Sequence, residues 1–135
     1  MSVESKINGA RVIVIEDMFI FQDAARESLE KSGHQVIGRV TSHKEVSELV
    51  RTLKAMKAEE LPQAAAIDRN LDPSDSNDSV GQGIVDFLRR EFPLILLIGI
   101  SSSELLHVDL NLGKDNIGKL GAAVTDLLAQ RNQEV

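Results

Sequence analysis

Arg11-Val-Ile-Val-Ile-Glu16-Asp17 and Ala64-Ala-Ala-Ile-Asp68-Arg-Asn70 are the two stretches that decide how this chain folds. Each is a short apolar run that ends abruptly in acidic side chains. Apolar residues without polar alternation suit strands buried on both faces, as in a parallel sheet covered by helices. Similar runs lie at Gln35–Val40 and Ile95–Ile100, with a weaker one at Val108–Leu112. The segments between them carry helical spacing instead. Phe21, Ala24, Ala25 and Leu29 share one helix face, and Gly33 supplies the stop. Val46, Leu49, Val50 and Leu53 form a second stripe, with Ser42 and Glu45 in capping-box spacing before it. Ile84, Phe87 and Leu88 begin a third helix that must end near Pro93. Ile117, Leu120, Val124, Leu127 and Leu128 mark a last one.

Strands alternating with helices imply parallel pairing, right-handed crossovers and helices on both faces. Two segments break the regular alternation. Asp72 to Gly83 is an acidic, turn-rich loop, long for this architecture. Only Ser101 to His107 separate the fourth and fifth strands, too few for a crossover helix with its turns, so that helix is expected to be shortened or missing.

The 135 residues, 42% hydrophobic and 27% charged, describe one globular domain spanning 1–135 with its core over about 11–130. A chain of this length buries roughly two-thirds of its unfolded surface and needs no staple. The absence of cysteine excludes disulfides, zinc–cysteine sites and thiol chemistry. With 15 basic and 21 acidic residues the net charge is −6, which disfavours direct contact with nucleic acid or anionic lipid. The longest apolar run, Leu94 to Ile100, is far shorter than a bilayer span. A cytoplasmic protein is the expectation.

In an open parallel sheet, ligands bind beyond the carboxyl ends of the strands. The residues at those ends are Glu16 and Asp17, then Asp68 and Asn70, then Ser101 and Ser102, and Lys114 near the end of the weak fifth strand. Clustered carboxylates with backbone carbonyls suit a hard divalent cation such as Mg²⁺. With their repulsion neutralised, one carboxylate is free to attack phosphorus. An ammonium and a hydroxyl can then hold the phosphoryl oxygens.

On these residues the chain resembles the response-regulator receiver domains of two-component signalling, from Arg11 to Gln130 and most closely over the first three strands. The resemblance implies a flavodoxin-like doubly wound sheet of five parallel strands in the order 2-1-3-4-5. It implies that Glu16 and Asp17 bind Mg²⁺, Glu16 through water, and that Asp68 is the phosphoacceptor, forming an aspartyl phosphate. It further implies that Asn70 lends its backbone carbonyl to the metal. Ser101 matches the hydroxyl residue ending strand four, with Ser102 the register alternative, and Lys114 matches the lysine after strand five better than Lys119. The implied partners are a sensor histidine kinase or a histidine phosphotransfer protein as donor. With no output domain following, the expected output is another protein or onward transfer to a phosphotransfer histidine.

Three departures stand out. Asp115 replaces the proline that usually follows the lysine, so no cis bond is expected there. Asn111 occupies the position of the usual switch aromatic. The region of the fourth helix is short, which places the familiar output face in question. A receiver-like binding module that does not use phosphorylation is therefore a rival. A phosphohydrolase of the haloacid dehalogenase type is another, but it needs a second aspartate where this chain has Asn70.

Other motifs carry less. Asp68, Asn70 and Asp72 fall at EF-hand positions, yet Pro73 and Ser79 stand where that loop needs glycine and glutamate. Gly81-Gln-Gly83 lacks the third glycine of a dinucleotide fingerprint, Asp86 standing there. His34, His43 and His107 have no ligand spacing and read as surface or boundary residues. Phe19, Phe21, Phe87 and Phe92 read as packing residues.

Overall fold

The computed structural model describes residues 9–69 and 80–133. Its elements follow in the order β1 (Arg11–Ile15), α1 (Phe19–Lys31), β2 (Gln35–Val40), α2 (Val46–Ala55), β3 (Ala64–Ile67), α3 (Val80–Glu91), β4 (Leu96–Gly99), β5 (Leu110–Asn111) and α4 (Leu120–Gln133). The five strands form one parallel sheet ordered β2-β1-β3-β4-β5. This is the doubly wound, flavodoxin-like arrangement expected from the sequence.

The continuous apolar strands are explained by two cores. Val12, Val14, Ala64, Ala66, Leu96 and Ile98 pack with Ala25 and Leu29 of α1 and Leu120 and Val124 of α4. The alternate residues Ile13, Ile15, Ala65, Ile67 and Leu97 pack with Leu53 of α2 and Ile84, Val85 and Leu88 of α3. Because strand side chains alternate between faces, every residue of a central strand must be apolar when helices cover both sides.

The ends of α1 show how local sequence sets element length. Gly33 adopts a left-handed φ of 86°. Its N–H bonds Glu30 O at 3.0 Å and the His34 N–H bonds Leu29 O at 3.0 Å, which closes the helix in a Schellman motif. Before α2, a 3-10 turn over His43–Glu45 takes the place of a direct start. The Glu45 carboxylate accepts from the N–H and hydroxyl of Thr41, at 2.7 and 3.0 Å. The carboxylate also faces the Ser42 backbone, so the reciprocal contact expected there is extended one residue back. Those Thr41 bonds hold the Glu45 carboxyl below the usual carboxylate range.

His34 is not the boundary residue its isolation in sequence suggested. It is buried, its Nδ1 accepts the Ala10 N–H at 3.0 Å, and its Nε2 lies 3.0 Å from Gly121 O and 2.9 Å from Thr125 Oγ1. Beside it, Ser28 Oγ accepts from the Gly121 N–H and donates to Gly118 O, both at 2.9 Å. These bonds tie α4 to α1 and to the edge of β1. A side chain at Gly121 would run into the carbonyl of Ser28, so glycine permits that approach.

No helix is described between β4 and β5. The 101–107 segment instead drops Leu105 into the α2–α3 core, where it is 2% exposed. β5 is shorter than the expected Val108–Leu112. It lies at the sheet edge, and the Asp109 carboxylate accepts the Leu97 N–H at 2.8 Å, in addition to the backbone bonds Asp109 N to Leu97 O and Leu112 N to Gly99 O, each 2.8 Å. A side chain thus takes part of the pairing that a longer strand would make with backbone.

Candidate functional site

The carboxyl ends of β1 and β3 lie side by side because Ile15 pairs with Ile67, and the Asp68 N–H bonds Ile15 O at 2.8 Å. Glu16 and Asp68 consequently emerge together, both buried, at 0% and 1% exposure. Asp17, half-buried, completes a group whose carboxylate oxygens all lie within 4.8 Å of one another. Lys114 reaches the same spot from the turn after β5. Its Nζ lies 3.3 Å from Glu16 Oε1 and 3.4 Å from Asp68 Oδ2. Lys119 stands five residues further on, exposed, at the end of the 3-10 turn that leads into α4.

Among the described residues, three carboxylates face one ammonium. Burial first, and the charge of Asp68 second, push the Glu16 carboxyl up from 4.5 to about 8. Glu16 Oε2 accepts the Met18 N–H at 3.2 Å, whereas the buried Oε1 accepts no hydrogen bond. A divalent cation bound among these oxygens would offset their repulsion and ligate Oε1, which takes no hydrogen bond and has the Lys114 ammonium 3.3 Å away.

Ser101 is buried at the end of β4 and Ser102 is exposed. The Ser101 hydroxyl accepts the Ser103 N–H at 3.2 Å. Asn70 and the loop residues 72–79 lie outside the described residues. Every described peptide bond is trans, the one before Asp115 included.

Gln82 and Arg89, whose contacts sequence reasoning passed over, surround the rim together with Gly81 and Asn111. A Cβ at Gly81 would overlap the Asp68 carbonyl, and the Gly81 N–H bonds Arg69 O at 3.0 Å, so α3 begins against the Asp68 backbone. One residue on, Gln82 grips Leu106: its Oε1 accepts the Leu106 N–H at 2.7 Å and its Nε2 donates to Leu106 O at 2.8 Å. Arg89, two turns further along α3, donates to His107 O at 2.8 and 3.1 Å. Asn111 closes the other side, its Oδ1 accepting the Leu105 N–H at 3.0 Å and its Nδ2 donating to Leu105 O at 2.9 Å. The segment that takes the place of a fourth crossover helix, expected from its length to be shortened or missing, is therefore held by side chains from both flanks. Only the shortness of 101–107 hinted at this. Phe19 is 73% exposed, not packed, and lies between exposed Met18 and Ile20 at the start of α1.

No protein-family model matches the sequence, and no characterised protein matches it by sequence. Solved structures do match. A CheY-like receiver domain from Methanospirillum hungatei superposes with a TM-score of 0.70 at 16% identity, covering 94% of this chain and 99% of that one. The receiver domain of a modulated diguanylate cyclase from Desulfovibrio desulfuricans gives 0.69 at 19% identity, covering 94% and 99%. The RcsB response regulator of Salmonella typhimurium gives 0.69 at 19% identity over 91% of this chain, which spans 61% of the RcsB chain. The chain thus has the fold of response-regulator receiver domains.

Proposed function

We propose that this protein is a signalling receiver whose residues 11–130 form one unit, taking a phosphoryl group on Asp68 from a phosphohistidine of a sensor kinase or phosphotransfer protein. The observation that carries this reading is the convergence of Glu16, Asp68 and Lys114 from three strand ends, with Lys114 Nζ within 3.4 Å of both carboxylates. Glu16, Asp17, Asp68 and the Asn70 carbonyl would hold Mg²⁺, which when bound supplies the charge that lets an anionic phosphoryl group approach. An Asp68 carboxylate oxygen attacks phosphorus as the phosphorus–nitrogen bond of the donor breaks, and the imidazole leaves with the bonding pair. Lys114 and the Ser101 hydroxyl hold the phosphoryl oxygens as charge moves onto them. The exposed Met18-Phe19-Ile20 ridge beside Asp17 offers an apolar seat for the donor. The protein acts as a switch and turns over no substrate beyond its own phosphorylation and dephosphorylation.

Intact mass after incubation with acetyl phosphate and Mg²⁺ tests the reading. One Mg²⁺-dependent phosphoryl adduct, absent from Asp68→Asn, is expected. No adduct from acetyl phosphate or a histidine kinase donor would refute it. A second reading, a receiver-like binding module that works without phosphorylation, is favoured by the two-way Asn111–Leu105 clamp.

A further inference from the structure

Lys114 Nζ has a third partner besides the two carboxylates: it lies 4.3 Å from the centroid of the Phe21 ring. Phe21 is half-buried on the first turn of α1, four residues after Asp17, and its other side packs against the core between α1 and α4. The ring and the carboxylates together leave the lysine side chain only 18% exposed. An ammonium over an aromatic face is attracted by the ring quadrupole, and the attraction grows as water is excluded. A leucine would fill much of the same space but offer no such field.

We infer that Phe21 is a positioning residue for Lys114, a role that rests on the proposed function for its purpose. Glu16 and Asp68 are the groups that would turn toward other ligands when the site is in use. The ring contact does not depend on them. It keeps one partner on the ammonium throughout and holds it at the rim, where a phosphoryl oxygen on Asp68 would need it. Without the ring, the four-carbon stem is free to take the ammonium into solvent, where it is well hydrated.

Two measurements on the intact chain decide this. The first is NMR of the Lys114 ε-protons and ammonium nitrogen in wild type, Phe21→Leu and Phe21→Trp. Ring placement predicts ε-protons displaced upfield and an ordered ammonium in wild type. Both are lost in Phe21→Leu and kept in Phe21→Trp, with all three folded by circular dichroism. The second is the affinity for beryllofluoride with Mg²⁺, expected to fall roughly three- to tenfold in Phe21→Leu and to stay within twofold in Phe21→Trp. Undisplaced ε-protons in wild type would overturn the inference whether or not the phosphoryl analogue binds. Equal affinity of wild type and Phe21→Leu would overturn the ring's bearing on the phosphoryl site. No beryllofluoride binding by any variant would count against the proposed function, while the NMR result still decides where Phe21 holds the lysine.

Discussion

Raising the pH should destabilise this protein in the absence of a divalent cation, and Glu16 sets the size of the effect. Its carboxyl is pushed up from 4.5 to about 8 in the folded chain, by burial and by the neighbouring Asp68 charge. Between those values the folded state keeps a proton that the unfolded state has released. Stability is therefore fully present below about pH 4.5 and is lost as pH rises through about 8. Each pH unit inside that window costs about 1.4 kcal/mol, so moving from about pH 5.5 to about pH 7.5 removes on the order of 2–3 kcal/mol. For a domain of this size that lowers the melting temperature by roughly 10 °C. The assay is thermal unfolding by circular dichroism in a chelator, comparing wild type with Glu16→Gln, since the chain has no tryptophan or tyrosine. The glutamine variant should lose most of the slope, because it carries no proton to release. Mg²⁺ at the upper pH should restore wild type and not the variant. If Glu16→Gln keeps the wild-type slope, the account of a crowded, cation-seeking cluster is refuted.

The remaining predictions concern the surroundings of that cluster. Gly81→Ala should destabilise by about 1–3 kcal/mol through overlap with the Asp68 carbonyl, whereas Gly83→Ala, whose Cβ meets nothing within 4 Å, should be neutral or mildly stabilising in the same melts. Asn111→Ala should cost about 1–2 kcal/mol and raise amide hydrogen exchange across 101–107, because both Leu105 backbone bonds are lost. Gln82→Ala should speed exchange at Leu106 specifically, its N–H losing a 2.7 Å bond; unchanged exchange there would mean the grip is not populated in solution. His34→Ala should cost about 2–4 kcal/mol in chemical denaturation, since it leaves the Ala10 N–H and the Gly121 carbonyl buried without their ring partners.

The buried parallel sheet was legible in the sequence because a central parallel strand must be apolar at every position, while the order of its strands came from the resemblance to receiver domains. Val12 to Ile15 and Ala64 to Ile67 could not be read any other way once helical spacing filled the gaps. The positions of Glu16, Asp17 and Asp68 followed, since a strand end in this architecture is a known place at the rim. Their spacing in the chain also implied a crowded group of carboxylates. Sequence could not say how much that crowding would shift Glu16, because the shift comes from burial and from a neighbour 52 residues away.

The outer half of the site was decided by tertiary structure. Lys114 is 98 residues from Glu16; the sequence already favoured it over Lys119, but its contact with both carboxylates depends on where a two-residue edge strand stops. Edge strands carry half the pairing and little periodicity, so their ends leave a weak mark on the sequence. Phe21 reads as one more apolar residue on a helical stripe until the ammonium is found 4.3 Å from its ring. His34, Gln82 and Arg89 act through bonds to backbone groups of distant segments, and Asn111 through bonds to the backbone of Leu105 in the neighbouring turn. Backbone amides and carbonyls are the same for every residue, so no side-chain pattern announces which of them will be gripped. What the sequence by itself determined was the set of elements and the chemistry at their ends, through the periodicity of burial. What only the folded chain decided was which of those ends touch and which side chains lock them, because contact across many residues is a property of packing and not of local order.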